Sequence, residues 1–154
     1  MTSPTPTLAD LERFILDGIP LARAMDLHIA GFDGECLTMT APLLPNINDK
    51  GCAFGGSLAA LMTIACWALV EAMLRRRGDD CDVFVADSTV RYLAPVWDNL
   101  TAEASLAPGA SWTSFFSMLD NRGRARADFT CVVPGGNGKP LASLAARFVA
   151  KRRA

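Results

Sequence analysis

The sequence predicts an α+β fold in which a curled antiparallel sheet wraps around one long buried helix. Residues 58–74 form a nearly unbroken apolar run, whose only polar side chains are Thr63 and Glu71. Strand-like segments lie on both sides of that run, and 51% of all residues are hydrophobic. Because a helix that is apolar on every face must be covered on every face, a sheet that curls around it fits best.

The composition is that of one folded domain over residues 1–154. A chain of 154 residues has the usual size of a single domain. A hydrophobic share of 51% and a charged share of 20% argue against disorder. With 15 Lys+Arg against 16 Asp+Glu there is no basic excess, so nucleic acid is not expected as a partner.

The cysteines and the single histidine indicate a reduced protein without a metal site. The five cysteines include no C-x-x-C pair, and the chain start lacks the charged and apolar regions of a signal peptide. His28 is the only histidine, so no zinc-ligand spacing is present. We therefore expect a cytoplasmic protein without a metal or redox cofactor.

A short amphipathic helix is predicted over 7–19, where apolar residues recur at helical spacing. Thr7 and Asp10 have the spacing of a capping box, and Gly18 and Pro20 mark its end. Two strands follow, which are predicted over 26–33 and 35–41.

A loop rich in Pro, Asn and Gly, over 42–56, leads into the long apolar helix. Three arginines at 75–77 suit the negative end of the helix dipole, and Gly78 suits its stop. The run 58–74 is at the short limit for crossing a bilayer, so a membrane span is the alternative. A helix buried by protein is the favoured interpretation, and no membrane is expected as a partner.

Strands are predicted through most of the remaining chain. These segments are 82–94, 100–106, 112–119, 124–133 and 141–150. The run Asp-Asn-Arg-Gly at 120–123 predicts a tight hairpin turn. In 124–133 polar and apolar side chains alternate, which predicts one outward face and one core face.

The predicted order is helix, two strands, buried helix and four antiparallel strands, which resembles the hotdog fold. In that fold the sheet wraps the helix, and two subunits pair to continue the sheet. Asn48 lies six residues before Phe54-Gly55-Gly56. Hotdog acyl-CoA thioesterases of the phenylacetate-pathway type have Asn followed by His-Gly-Gly at the corresponding positions.

The run from 45 to 57 more closely resembles a bacterial thioesterase subgroup with the pattern P-N-x-N-D-K-G-x-x-F-G-G-S. Members of this subgroup occur alone or fused behind an acetyltransferase domain. The run Arg-Tyr-Leu-Ala-Pro at 91–95 also lies where the subgroup would place it.

The resemblance implies hydrolysis of an acyl-CoA or acyl-carrier-protein thioester. It implies a homodimer or dimer of dimers with sites at the subunit interface, and no cofactor beyond the coenzyme A thioester as substrate. Phenylacetate-type enzymes carry an acid nine residues after the motif histidine. That position is Thr63, which cannot be a carboxylate base, so the base must be sought elsewhere.

Gly55 and Gly56 are candidates for the oxyanion site, because free N–H groups at a helix start can hold developing negative charge. The alternative is that they only permit close helix–sheet packing. Asn48 is a candidate for orienting water and Asp49 for taking its proton. Both are also common turn formers.

Thr63 is a candidate for positioning the water, and its alternative role is a hydroxyl bond to the carbonyl four residues earlier. Asp87 is a reserve candidate for the base, on the strand after the helix. The candidates for substrate contact are Lys50, Phe54, Ser57, Ser88 and Arg91, of which the two basic residues could meet the phosphates of coenzyme A. His28 is expected to be structural.

Two other functions fit this sequence. A hotdog dehydratase or isomerase normally needs a histidine paired with an acid, but Phe54 occupies the histidine position. A non-catalytic acyl-thioester binding module would keep the pocket without a competent base. Thr63 in place of the acid favours that second alternative.

Overall fold

Four α-helices and six strands form the described part of the chain, residues 7–153 of a computed structural model. The helices are α1 Leu8–Gly18, α2 Pro20–Met25, α3 Gly55–Arg77 and α4 Trp112–Arg122. The strands are β1 His28–Phe32, β2 Leu37–Ala41, β3 Cys81–Tyr92, β4 Leu100–Leu106, β5 Arg124–Pro134 and β6 Pro140–Arg152. They form one antiparallel sheet in the order β1-β2-β4-β5-β6-β3, which curls around α3. The predicted fold class is thus confirmed. Residues 1–6, on which part of the leader-peptide expectation rests, lie outside the described residues.

The long apolar helix α3 is the centre of the core and extends three residues beyond the predicted run at each end. Gly78 ends it in the left-handed conformation, with φ of 81°. By length and composition α3 could cross a membrane, but 67% of its most apolar 18-residue window is buried inside the protein. Core helices of soluble proteins have the same composition, because protein surrounds them as lipid surrounds a membrane span.

The N-terminal helix forms as predicted, and a second helix follows that the sequence did not predict. Thr7 and Asp10 make the reciprocal capping-box hydrogen bonds of α1. Pro20 follows α1, as expected, but it also begins α2. Proline suits the first turn of a helix, where its missing N–H costs nothing.

The predicted strand 112–119 and the hairpin turn after it are wrong, because α4 occupies this segment. Ser111 caps its start by accepting the Ser114 N–H, and Gly123 ends it with φ of 71°. Phe115 and Leu119, one helical turn apart, are fully buried. Local β propensity predicted a strand, but burial of one helical face determined the structure. Four strands therefore follow α3, which is the number in the predicted fold order, although five segments were predicted as strands.

Strand β3 lies at one edge of the sheet and contains a bulge at Ala86. Val85 pairs with Phe148, but the next pair is Asp87 with Arg147, so Ala86 has no partner on β6. The extra residue reverses the alternation of faces along β3. After the bulge, Ser88, Val90 and Tyr92 pair with buried residues and share the helix-facing side; Asp87, Thr89 and Arg91 share the outer face.

Candidate functional site

The start of α3 leaves several backbone N–H groups without acceptors. The first helical bond runs from the Leu58 N–H to the Phe54 carbonyl, at 3.0 Å. The three preceding amides, of residues 55–57, have no acceptor among the described residues, and no side chain caps the helix. Free donors and the helix dipole together make this end attractive to negative charge.

The loop before α3 is held mainly by its own hydrogen bonds. Asn48 accepts the Lys50 N–H on its side-chain oxygen at 2.8 Å, and its amide nitrogen lies 3.2 Å from the Cys52 sulfur. Its backbone N–H donates to the Cys52 carbonyl at 2.8 Å. The Asn48 side chain therefore fixes this turn, which is the turn-forming role that its residue type allows.

Asp49 is an exposed carboxylate paired with its neighbour. The Lys50 ammonium donates to it at 3.0 Å, and 80% of the Asp49 side chain is exposed. This hydrogen bond and the charge of Lys50 lower the pKa of Asp49. Asp49 therefore stays ionised below the usual titration range of aspartate, available as a proton acceptor but a weak one.

Asn46 is a buried polar residue of the motif whose role the sequence did not reveal. Its amide nitrogen donates to the carbonyls of Met25 and Pro42, at 3.0 and 2.8 Å. The backbone carbonyl of Asn46 accepts the Phe54 N–H at 2.7 Å. Asn46 thus joins α2, the loop and the residue that precedes α3. An Asn beside Pro in a loop was the only available signal, and it predicts no particular partner.

Two aromatic rings contact the glycine pair. A Cβ on Gly56 would overlap the ring of Phe54, lying 3.1 Å from Cδ2 and Cζ and closer still to Cε2. The Tyr92 hydroxyl donates to the Gly55 carbonyl at 2.9 Å. Both rings are about half exposed, at 54% and 55%.

Thr63 lies on the same face of α3 as Gly56, because seven residues make almost two full turns. Its hydroxyl donates to the Ala59 carbonyl at 2.8 Å, the back-bond that was the alternative to a water-positioning role. The two residues are about 10 Å apart along the helix axis, at about 1.5 Å per residue. A single subunit therefore does not bring both to one small reacting group.

One stripe of α3 is incompletely covered by the sheet. The accessible or half-buried positions on this stripe are Gly56, Ala60, Thr63 and Trp67. The Trp67 indole donates to the Val83 carbonyl of β3, so the stripe runs beside the edge strand. The helix is thus more exposed along β3 than the sequence predicts.

The structure separates the candidates on β3. Asp87 and Arg91 lie on the outer face, whereas Ser88 lies on the side of α3. Asp87 is the cross-strand neighbour of Arg147, which also binds Asp128 at 2.9 Å. Within one subunit, the sheet therefore lies between the Asp87 carboxylate and the start of α3.

The arginines at 75–77 lie at the opposite end of α3, about 30 to 33 Å from Gly55 at about 1.5 Å per residue. They stack on phenylalanine rings, and Arg77 also binds Asp120 at 2.8 Å. This end of the helix is a stabilising ion-pair cluster far from the glycine pair.

Ser57, the third residue of α3, is half-buried beside the glycines. Cys52 is buried, and all five cysteines are free. His28 is exposed between Asp26 and Glu12, at 3.1 and 3.5 Å, away from the motif loop. Among residues 7–153, no group of three or more His, Cys, Asp or Glu side chains could hold a metal ion.

Exposed apolar side chains occur in the segments that meet near the helix start. Backbone bonds bring the elements together here, since the Ala53 N–H donates to the Val96 carbonyl and residues 47 and 53 form a bridge. The exposed members are Ile47, Phe54, Tyr92, Leu93 and Trp97. An apolar surface beside free N–H groups has the chemistry to bind a polar carbonyl attached to an apolar chain.

Solved structures of similar proteins share this fold. A protein of unknown function from Chlorobaculum tepidum is 29% identical over 94% of both chains, with a TM-score of 0.88. A protein from Shewanella oneidensis, described as a putative thioesterase, is 27% identical, with a TM-score of 0.82 over 94% of this chain and 96% of that one. A thioesterase from Haemophilus influenzae is 16% identical over 97% and 93% of the two chains, with a TM-score of 0.72, and shares the fold.

Residues 8–152 match the family described as "Putative thioesterase (yiiD_Cterm)". The match includes the loop, the glycine pair and the edge strand. It agrees with the subgroup that the motif resembles. The chain therefore belongs to this thioesterase family and has the hotdog fold.

Proposed function

We propose that the protein hydrolyses an acyl thioester, carried by coenzyme A or by an acyl carrier protein, through direct attack of water at the start of α3. The observation that carries this proposal is the set of uncapped amides of residues 55–57, in a member of a thioesterase family. Attack on the carbonyl carbon places negative charge on its oxygen. Fixed N–H donors stabilise that charge more than they stabilise the neutral ester.

The surroundings of the helix start suit the acyl part of such a substrate. Phe54 and Tyr92 expose large aromatic surfaces and lie against the glycine pair that carries the free amides. In this proposal the thioester oxygen meets the amides, and the acyl chain packs on these rings. Lys50, at the surface of the neighbouring loop, is the basic residue placed to meet a phosphate of the carrier.

A second copy of the chain is part of the proposal, as a homodimer or a dimer of dimers. The partly uncovered stripe of α3 and the unpaired edge of β3 adjoin each other, and exposed strand edges favour pairing. Pairing along β3 would cover the stripe and bring Thr63 of the partner subunit nearer to this helix start. The accepting lone pairs of its hydroxyl could then orient the water.

We assign the general base to Asp49 rather than to Asp87. Asp49 lies on the loop that leads into α3, whereas Asp87 faces away from α3 within its own subunit. Asn48 acts indirectly, by fixing the turn that presents Asp49. No metal or redox cofactor takes part in this scheme, and the free cysteines support a cytoplasmic location.

The test is incubation with a panel of acyl-CoAs and a thiol-trapping dye. Release of free thiol supports hydrolysis. A change in a double bond without free thiol would instead indicate a dehydratase or isomerase. Binding without turnover would indicate a non-catalytic acyl-thioester module, the second candidate, which Thr63 at the acid position favours.

A further inference from the structure

Tyr92 connects the edge strand to the peptide group that lies at the centre of the proposed oxyanion site. It is the last residue of β3 and the only tyrosine in the chain. Its hydroxyl donates to the Gly55 carbonyl at 2.9 Å, across 37 positions of sequence. Its ring also lies against Gly55, since a Cβ there would be 3.4 Å from the nearest ring carbon.

The Gly55 carbonyl and the Gly56 N–H belong to the same peptide group. In an α-helix the Gly55 carbonyl accepts the N–H of the residue four positions later. A carbonyl oxygen has two lone pairs, and the Tyr92 hydroxyl donates to the oxygen in addition. Each donor draws electron density toward the oxygen, which makes the N–H of that peptide group a stronger donor.

The position of Tyr92 is itself fixed by the sheet. The next two residues, Leu93 and Ala94, both donate their N–H groups to the Leu141 carbonyl of β6, at 2.9 and 3.0 Å. The backbone that follows Tyr92 is therefore held by β6, while the Tyr92 phenol binds the first turn of α3. A shift of the β3 end would reach the glycine pair through this bond.

We propose that Tyr92 is a positioning residue of the thioester site, which orients and polarises the Gly55–Gly56 peptide so that the Gly56 N–H binds the oxyanion more strongly. This inference rests on the proposed function. Tyr92 acts through the peptide group and transfers no proton to the substrate. Its effect is therefore on the transition state, where the oxygen carries charge.

The first test compares Tyr92→Phe with wild-type protein, on the full chain. The variant keeps the ring and loses the donor, so we expect kcat to fall about 3- to 10-fold with KM within about twofold. The Gly56 amide resonance should also move. Thr89→Val is the matched control, because it removes a hydroxyl from the outer face of the same strand. Thr89→Val should leave kcat, KM and the Gly56 amide resonance unchanged.

The second test uses the fact that Tyr92 is the only tyrosine. Expression with 3,5-difluorotyrosine replaces this side chain alone and keeps its shape. Fluorine makes a phenol more acidic, and a phenolate cannot donate a hydrogen bond. We expect kcat of the fluorinated protein to fall at a pH where wild-type activity is still constant. This result supports the inference even if Tyr92→Phe does not fold.

The outcomes separate this inference from the proposed function. If the wild-type protein hydrolyses no thioester, the proposed function fails, and the role of Tyr92 in it fails as well. If the wild-type protein is active but folded Tyr92→Phe keeps its kcat, only the inference about Tyr92 is overturned. An unchanged pH profile of the fluorinated protein would overturn it equally.

Discussion

The ring of Phe54 lies directly over Gly56, in the space that a β-carbon would occupy. While the ring keeps this position, only a glycine fits at residue 56, apart from any contact with substrate. This relationship changes what a substitution of Gly56 tests, because an added methyl group must displace the ring. Phe54 is 54% exposed, so its ring can turn toward solvent.

We expect Gly56→Ala to lower kcat about 10²–10³-fold, since the methyl group and the displaced ring both obstruct the amides that hold the oxyanion. The unfolding temperature should change little, because alanine favours the helix and the ring is free to move. Thermal unfolding and turnover are measured together. Gly18→Ala, with open space around its Cβ, is the control for stability.

The double variant Phe54→Ala/Gly56→Ala separates the two causes. Loss of turnover that persists in the double variant points to the methyl group itself. Recovery toward the activity of Phe54→Ala would mean that the displaced ring was responsible. Normal turnover in a folded Gly56→Ala protein would remove Gly56 from the oxyanion site.

Asp49→Asn should reduce kcat about 10²–10⁴-fold, the usual range for loss of a general base. Asp87→Asn is the matched control, and its turnover should stay within about threefold of wild type, because Asp87 lies on the outer face beside Arg147. Both are assayed at equal folded fraction. If neither substitution slows turnover tenfold, the carboxylate mechanism is wrong, and a water oriented by Thr63 becomes the better account.

Glu71 should make stability depend on pH. Burial raises its pKa, although Arg75 lies 3.4 Å away and opposes the rise. The folded state therefore binds the proton more tightly than the unfolded chain, and its stability falls as pH rises from about 4 through the raised value. Glu71→Gln does not lose stability in this way as pH rises. Its free energy of unfolding, relative to that of wild type, should therefore be higher at pH 7 than at pH 4.

Urea unfolding at several pH values between 4 and 7 measures this difference. Glu35→Gln, at an exposed position, serves as the control. The difference between its free energy of unfolding and that of wild type should be nearly the same at each of these pH values. A constant difference for Glu71→Gln as well would contradict the predicted effect of burial.

Val85→Lys should convert an oligomer into a monomer and abolish turnover while the subunit stays folded. Val85 is 45% exposed near the edge of the sheet, where a second copy would pair, and a buried lysine would be costly. Leu21→Lys, at a 54% exposed position on α2, is the control and should leave the assembly unchanged. Light scattering that finds a stable, active wild-type monomer would contradict the two-subunit site.

Local signals predicted most of the fold. The capping box of Thr7 and Asp10 lies within α1's first turn, and β4 has the predicted bounds, because alternation along one strand needs no distant partner. The apolar run of α3 predicted the fold class for the same reason, since it can be recognised without knowledge of distant segments. The strand prediction for segment 112–119 failed because two signals conflict there. The residue types of Trp112, Phe115 and Phe116 favour a strand, whereas their spacing favours a helix.

The site was less predictable, since it depends on contacts between distant segments. The motif placed the glycine pair at the start of α3, and the structure has it there. No local pattern connects Tyr92 with Gly55, or Asn46 with Met25, because each pair meets only after the sheet closes. The face occupied by Asp87 was also hidden, because a bulge leaves no clear mark in a sequence.

That bulge gives β3 a tolerance for a change in strand length. Removal of Ala86, which has no partner on β6, would leave Val85 followed directly by Asp87, and both would keep the partners and faces that they have now. The deletion would remove the additional twist of the bulge and leave the Asp87 carboxylate on the outer face. Loss of a paired residue would instead turn one side of the strand over. In an alignment, either event would look like a gap and not like a change of residue.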